Sequence, residues 1–439
     1  MTIENIFSIG LDLGTTTISA VVVDTRDGTV LARETVKSEA DLRSSVPGEK
    51  IQDAAKIAEK ARSILDNLLS AFPETKSIGI TGQMHGIVYL DQMGNLLSPL
   101  YTWQDQQAAP YCEELQQKTG FSVSPGYGLA THYALKKAGQ VPTGAAGLCT
   151  IMDYLGFLLT GERKIHSTNA ASLGFFDRSD FDADALVQID TDRTMLPDVV
   201  SDAMILGTYR GIPVAVAIGD NQASFLGSVA DSETMALANF GTGSQISRMT
   251  ESRIRLRDPL LEQRPLLNGK TLTCGSALCG GRAYALWEQF VRSLTGSTQT
   301  QYAQLNALAE EGLQIPDLPK VYPAFCGTRA DAAIRGRIEN LSEENFTPAA
   351  LTAGLLLGMA EELHAMFLRM PGSDVTQLIA SGNGVRKNTA LVKALEQVFG
   401  MPVRIPAHQE EAAFGAALFA AGARGMPVQQ LQKNCIHYL

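Results

Sequence analysis

At 439 residues, 45% of them hydrophobic and 19% charged, the chain is long enough for two domains with a core each and too apolar to be mainly disordered. Its formal net charge of -10 argues against nucleic acid or an anionic membrane as partner, because such surfaces need a basic footprint. An anionic ligand must then be met locally, by backbone dipoles or a metal ion.

The opening Met1-Thr2-Ile3-Glu4-Asn5 lacks the basic start and apolar core of a leader, and no apolar stretch approaches a membrane span. Residues 6 to 12, 18 to 24 and 29 to 36 alternate in the manner of strands. The turn Arg26-Asp27-Gly28 lies between the second and third, so an antiparallel meander is expected. Apolar residues from Ile51 to Phe72 then recur at helical spacing. Strands follow at 77 to 81 and 87 to 90. Residues 214 to 218 form a continuous apolar strand that runs into Gly219-Asp220-Asn221-Gln222, with a helix from Ala223. The second half echoes the first: strands at 235 to 240 and 245 to 249, helices at 281 to 294 and 351 to 370, a strand at 378 to 380, and a helix at 389 to 399. A meander followed by alternating helices and strands, occurring twice, predicts two related α/β domains, residues 1–228 and 229–439. Six scattered cysteines without Cys-x-x-Cys spacing point to free thiols in a cytoplasmic protein. A monomer or homodimer is expected.

Two glycine-threonine turns carry the functional reading: Asp12-Leu13-Gly14-Thr15-Thr16-Thr17, and Asn239-Phe240-Gly241-Thr242-Gly243-Ser244. A hairpin tip without bulky side chains lets backbone N–H groups approach anionic oxygens, and threonine hydroxyls add donors. Two such tips facing one another across a cleft suit a polyphosphate, hence a nucleotide. No Gly-x-x-x-x-Gly-Lys loop competes for the role. Asn268-Gly269-Lys270-Thr271 has Arg264 where the first glycine belongs, and it reads as a surface turn between strands. Asp12 either stabilises its turn or holds Mg²⁺ near the phosphates. Asp220 is either a helix cap or a base that takes the proton of an attacking sugar hydroxyl. Gly82-Gln83-Met84-His85-Gly86 and Thr102-Trp103-Gln104-Asp105 offer amides, a carboxylate and an aromatic face suited to a polyhydroxylated ligand.

These residues together resemble the FGGY carbohydrate kinases along nearly the whole chain. The resemblance implies two ribonuclease-H-like domains of the actin and hexokinase type with a cleft between them, the first binding sugar and phosphate and the second nucleotide. It further implies ATP and Mg²⁺ as cofactors, with Asp12 at the metal and Asp220 as catalytic base. Nucleotide contacts are then expected at Gly14, Thr15, Thr16, Thr17, Gly241, Thr242, Gly243, Gly281, Gly382, Gly384 and Asn388, the last three in Ser381-Gly382-Asn383-Gly384-Val385-Arg386-Lys387-Asn388. Sugar contacts are expected at Gln83, Met84, His85, Trp103, Asp105 and Asn221. Within the family, Thr102 to Asp105, Asn169 to Ser172 and Leu278 to Leu286 look like segments of sedoheptulose kinases. The implied reaction is transfer of the γ-phosphoryl group to the terminal primary hydroxyl of a ketose.

Overall fold

A computed structural model describes residues 6–251, 258–328, 331, 333–372 and 374–439; Met1 to Asn5, read above for a leader, lie outside them. The contacts divide the chain into two compact units. The first comprises Met1–Ala230, Pro265–Gly269 and His408–Ile436, the second Asp231–Arg264, Lys270–Ala407 and His437–Leu439. Among the described residues no helix is long and apolar enough to cross a membrane.

In the first unit the alternating runs form a meander, Phe7–Leu13, Thr17–Asp24 and Val30–Lys37, paired antiparallel. The other edge of Phe7–Leu13 pairs parallel with Thr75–Gly82, which is followed outward by Ile212–Ala215 and Ile205–Tyr209 to complete six strands. Helix Ala54–Ala71 packs Ile57, Ala61, Leu65 and Leu68 into the core with Ile9, Leu11 and Val22 of the sheet. It begins later than the periodicity from Ile51 predicts. Ile51–Gln52 pairs instead as a short strand with Leu100–Tyr101, and the Asp53 side chain caps the helix by accepting from the Lys56 N–H. A second apolar cluster in this unit gathers Tyr89, Leu129, Leu148, Leu173 and Phe175 beneath the loops that follow Gly82.

Helix Glu411–Gly422, which nothing in the sequence reading anticipated, closes the sheet of this first unit. A Cβ built on Gly10 would come 1.8 Å from the Ala413 carbonyl oxygen, and one on Gly79 1.9 Å from that of Ala416. Helix Asp220–Ser228 crosses the same helix at glycines: a Cβ on Gly415 would lie 1.8 Å from the Ala223 oxygen, and one on Gly227 2.0 Å from that of Glu411. Backbone contacts therefore set the seat of helix Asp220–Ser228, with no side chain in between.

The second unit repeats the plan. Met235–Phe240 pairs antiparallel with Ser244–Thr250 and parallel with Gln377–Ser381, within the order Leu261–Pro265, Thr271–Ala277, Ser244–Thr250, Met235–Phe240, Gln377–Ser381, Val403–Arg404. Helices Gly281–Thr295, Tyr302–Gly312, Pro348–Phe367 and Thr389–Phe399 accompany it. Asn268 makes the turn between Leu261–Pro265 and Thr271–Ala277 with a left-handed φ of 57°, as a turn residue rather than part of a phosphate loop.

Candidate functional site

In the first unit, three chain segments end at one edge of the sheet. Asp12 stands opposite Thr81 in the parallel ladder. The Thr81 hydroxyl donates to the Ile218 carbonyl at 2.8 Å, and the Ile218 N–H donates to the Ile80 carbonyl at 3.1 Å. Regular pairing of the third strand stops at Ala215, so residues 216–219 continue as an extended lead-in to helix Asp220–Ser228. That helix starts at Asp220, three residues before the expected Ala223, and Gly219 occupies the cap position. The cap alternative for Asp220 thus falls away. Its carboxylate Oδ1 accepts from the Asn221 side-chain amide at 3.3 Å.

Electrostatics tie this edge together. Burial first, then the nearby carboxylates of Asp220 and Glu410, push the Asp12 carboxyl from its ordinary 3.8 up to about 7. Glu410 escaped the sequence reading. It leads into helix Glu411–Gly422 in the left-handed conformation, φ 60°, an uncommon state for a non-glycine residue. The Thr35 hydroxyl donates to its Oε1 at 3.3 Å. Among the described residues no three His, Cys, Asp or Glu side chains form a ready-made metal site.

The polar loops close a circuit around Thr15. Trp103 Nε1 donates to the Thr15 hydroxyl at 3.0 Å, that hydroxyl donates to Gln83 Oε1 at 3.4 Å, and Gln83 Nε2 donates to Gln52 Oε1 at 2.9 Å. Gln52 Nε2 returns to the Thr15 carbonyl at 2.9 Å. Thr16 and Thr17 are exposed, and a Cβ on Gly14 would sit 2.8 Å from the Thr17 carbonyl, so this tight turn needs its glycine. Trp103 leaves 47% of its surface open. His85, left-handed at φ 73°, stacks on Tyr127 at 4.6 Å, and its Nδ1 donates to the Ser172 carbonyl at 2.8 Å. Asp105 is 0% exposed, with its carboxylate accepting from the N–H groups of Lys50 and Gln107. Met84 is buried as well, its thioether against Gly219. The structure thus gathers Gln83, Trp103 and Thr15 in one network, leaves His85 half-buried on Tyr127, and puts Asp105 and Met84 behind the surface as supports.

In the second unit the hairpin tip Gly241-Thr242-Gly243 meets the start of helix Gly281–Thr295. The Gly281 and Arg282 N–H groups donate to the Gly241 and Thr242 carbonyls, both at 3.0 Å. Glycine is needed at two of the positions facing this tip: a Cβ on Gly281 would reach the Gly241 oxygen at 2.5 Å, and one on Gly382, at φ 94°, the Phe240 oxygen at 2.4 Å. Gly241, Thr242, Gly281, Gly382 and Gly384 line an open groove of about 710 Å³. Phe240, Gly281, Asn383 and Gly384 also belong to a deeper cavity of about 310 Å³, walled by Tyr284, Tyr302, Leu356, Met359 and Leu391. Asn388 lines that cavity, and its Oδ1 caps helix Thr389–Phe399 by accepting from the Leu391 N–H at 3.1 Å. Tyr284 donates to Asn306 Oδ1 at 2.7 Å, and Asn306 in turn donates to the Lys387 carbonyl at 2.9 Å. An apolar, aromatic slot continuous with a backbone-lined groove suits a flat base joined to phosphates. Tyr302 and Asn306 share helix Tyr302–Gly312 and Met359 sits on Pro348–Phe367, and they went unnoticed because nothing local in the sequence joins those two helices to the glycine turns.

Residues 7–237 match the FGGY family of carbohydrate kinases, N-terminal domain, and residues 257–424 match the C-terminal domain of the same family. The chain belongs to the FGGY family of carbohydrate kinases. It is 25% identical to a sedoheptulokinase of Mus musculus over 94% of this chain and 96% of that one. It is 26% identical to a glycerol kinase of Alkalilimnicola ehrlichii over 95% and 90%. The crystal structure of xylulose kinase from Rhodospirillum rubrum superposes with a TM-score of 0.85 at 25% identity, covering 99% of this chain and 93% of the other. This FGGY kinase therefore has the ribonuclease-H-like α/β fold in its two sheet-containing units and is an enzyme that phosphorylates a sugar, with ATP as the co-substrate its family implies.

Proposed function

We propose that this FGGY kinase transfers the γ-phosphoryl group of ATP to the terminal primary hydroxyl of a ketose, sedoheptulose first, in the cytoplasm. The observation that carries the chemistry is the acidic end of the first sheet, where Asp12 stands opposite Thr81, whose hydroxyl holds the Ile218 carbonyl two residues before Asp220, and where Asp220 and Glu410 lie near enough to help push Asp12 up to about 7. Phosphoryl transfer needs an acceptor oxygen aligned and charge neutralised, and little else from side chains. Asp220, at the first turn of a helix seated on backbone contacts, accepts the hydroxyl proton and fixes that oxygen. Gln83 and Asn221 bind sugar hydroxyls, Trp103 covers a C–H face, His85 borders them, and Asp105 and Met84 hold the loops. In the second unit, Gly241, Thr242, Gly243 and Gly281 receive phosphates, while Gly382, Gly384 and Asn388 border the base and ribose.

Mg²⁺ fits the donor set. It is commonly held by one or two carboxylates with phosphate oxygens completing its shell, and Asp12, crowded by two like charges, is relieved by a cation. Bound there, it would neutralise phosphate charge. Gly14 to Thr17 would approach phosphate oxygens beside Asp12 through their N–H and hydroxyl groups.

Sedoheptulose is favoured by the segments Thr102 to Asp105, Asn169 to Ser172 and Leu278 to Leu286, while glycerol kinases stand equally near in overall identity. Coupled detection of ADP across sedoheptulose, xylulose, ribulose, fructose and glycerol decides the matter. The highest kcat/KM is expected for sedoheptulose. A higher value for another acceptor reassigns the substrate, and ATP turnover indifferent to every sugar ends the reading.

A further inference from the structure

Cys279 and Cys326, 47 residues apart in the second unit, lie sulfur to sulfur at 3.7 Å, with the Cys326 thiol donating. Both are free thiols. Closing this contact to a covalent S–S length of about 2.0 Å takes a movement of about 1.7 Å. The two sides differ in their freedom to supply it. Cys279 is 2% exposed, in the turn just before Gly280 and Gly281. Cys326 is half-buried in the loop after strand Lys320–Tyr322 and is the more exposed of the two.

We propose that Cys279 and Cys326 form a modification site for small-molecule disulfides of the glutathione type, becoming a reversible protein disulfide that weakens nucleotide binding. The Cys326 thiolate attacks one sulfur of the small disulfide, forming a mixed disulfide and releasing one small thiolate. Cys279, having lost its proton to solvent, then attacks the Cys326 sulfur and expels the second. Both protein sulfurs are oxidised, both small-molecule sulfurs are reduced, and the two protons lost by the protein end on the released thiols. The order follows from access and acidity, because burial and then Cys326 raise the Cys279 thiol to about 11, which leaves it the slower attacker.

The consequence for nucleotide rests on the function proposed above for the glycine groove. Gly281 and Arg282 donate to the carbonyls of the Gly241-Thr242 tip, and a Cβ on Gly280 would lie 2.4 Å from the Gly243 carbonyl carbon. A turn packed that closely has no slack. Tension at Cys279 therefore displaces the groove wall against the tip, and we expect about a fivefold rise in nucleotide Kd.

The full-length protein is incubated with glutathione disulfide and digested without reduction for peptide mass mapping. A Cys279–Cys326 cross-link lacking two hydrogens is expected, reversed by dithiothreitol and absent in Cys326→Ser and Cys326→Ala. Oxidised wild type then binds a non-hydrolysable ATP analogue more weakly than reduced wild type, and the variants bind it equally in both conditions. Glutathione left on Cys326 without the cross-link, or a cross-link to another cysteine, overturns the site. A cross-link with unchanged analogue affinity overturns the coupling. If the reduced protein fails to bind the analogue at all, the coupling falls together with the nucleotide reading, and the peptide map still decides the thiol site.

Discussion

Asp12 is a carboxyl group held in a costly environment. With an ordinary pKa of 3.8 and a folded value of about 7, it binds more protons in the folded than in the unfolded chain between those two values. Its contribution therefore opposes folding increasingly as pH rises through that window, and the opposition fades as pH falls toward 4. Asp12→Asn removes the charge while nearly keeping the shape. The variant should melt higher than wild type at pH 8, with the gap narrowing toward pH 4, and should lose most kinase activity; thermal melts at several pH values check the first expectation and steady-state rates the second. A variant less stable than wild type at pH 8 would show that the carboxylate has compensating partners. Asp220 separates the roles further. Asp220→Asn keeps an oxygen that can accept from the Asn221 amide but cannot take a proton, so kcat should fall about a hundredfold or more, with the KM for ATP little changed. Near-normal turnover, measured by coupled ADP release, would remove Asp220 from the mechanism.

Helix Glu411–Gly422 decides where those carboxylates stand, and it shows what a sequence does and does not disclose. Its residues, Glu-Ala-Ala-Phe-Gly-Ala-Ala-Leu-Phe-Ala-Ala-Gly, are apolar on every side, because it is enclosed by the first sheet and helix Asp220–Ser228. A helix without a polar face has no periodic contrast to detect. Strand Val30–Lys37 and helix Thr389–Phe399, half covered and half wet, were legible residue by residue for that same reason. Glu410 stayed hidden because its place beside Asp12 depends on a fold-back across nearly four hundred residues, and the buried state of Asp105 depends on a loop clasped by Lys50. The glycine turns were legible, since the need for close backbone approach is written in composition alone. Gly415→Ala tests the enclosure. Alanine favours an isolated helix by about 1 kcal/mol, yet its Cβ would meet the Ala223 carbonyl oxygen at 1.8 Å, a rigid backbone atom. Overpacking should win, with a net loss of about 3 kcal/mol read from urea midpoints. A neutral or stabilised variant would mean that the two helices part freely.

The two units share one architecture: a central strand, Phe7–Leu13 or Met235–Phe240, bonded antiparallel to its hairpin partner and parallel to a later strand. Each shows its glycine turn at the end of that central strand, and each has its own apolar core, around Ile9 and Leu65 in one and Phe240 and Leu356 in the other. What differs is the chemistry beside the turn. The first unit carries carboxylates and the Thr15–Gln83–Trp103 network, whereas the second carries an aromatic-walled cavity with no acid among its described lining residues. Sugar and nucleotide should therefore slow amide exchange in different segments of the chain, because a ligand that binds the folded state suppresses local opening where it binds. Sedoheptulose alone is expected to protect residues 83–90, 101–107 and the helix starting at Asp220. A non-hydrolysable ATP analogue alone should protect 240–250, 281–290 and 377–391, together with the phosphate turn at 14–17. Hydrogen exchange followed by mass spectrometry, with each ligand added separately, reads both patterns in one experiment. Protection of a single set of segments by both ligands would refute the division of labour between the units, even if the enzyme proved an active sedoheptulose kinase.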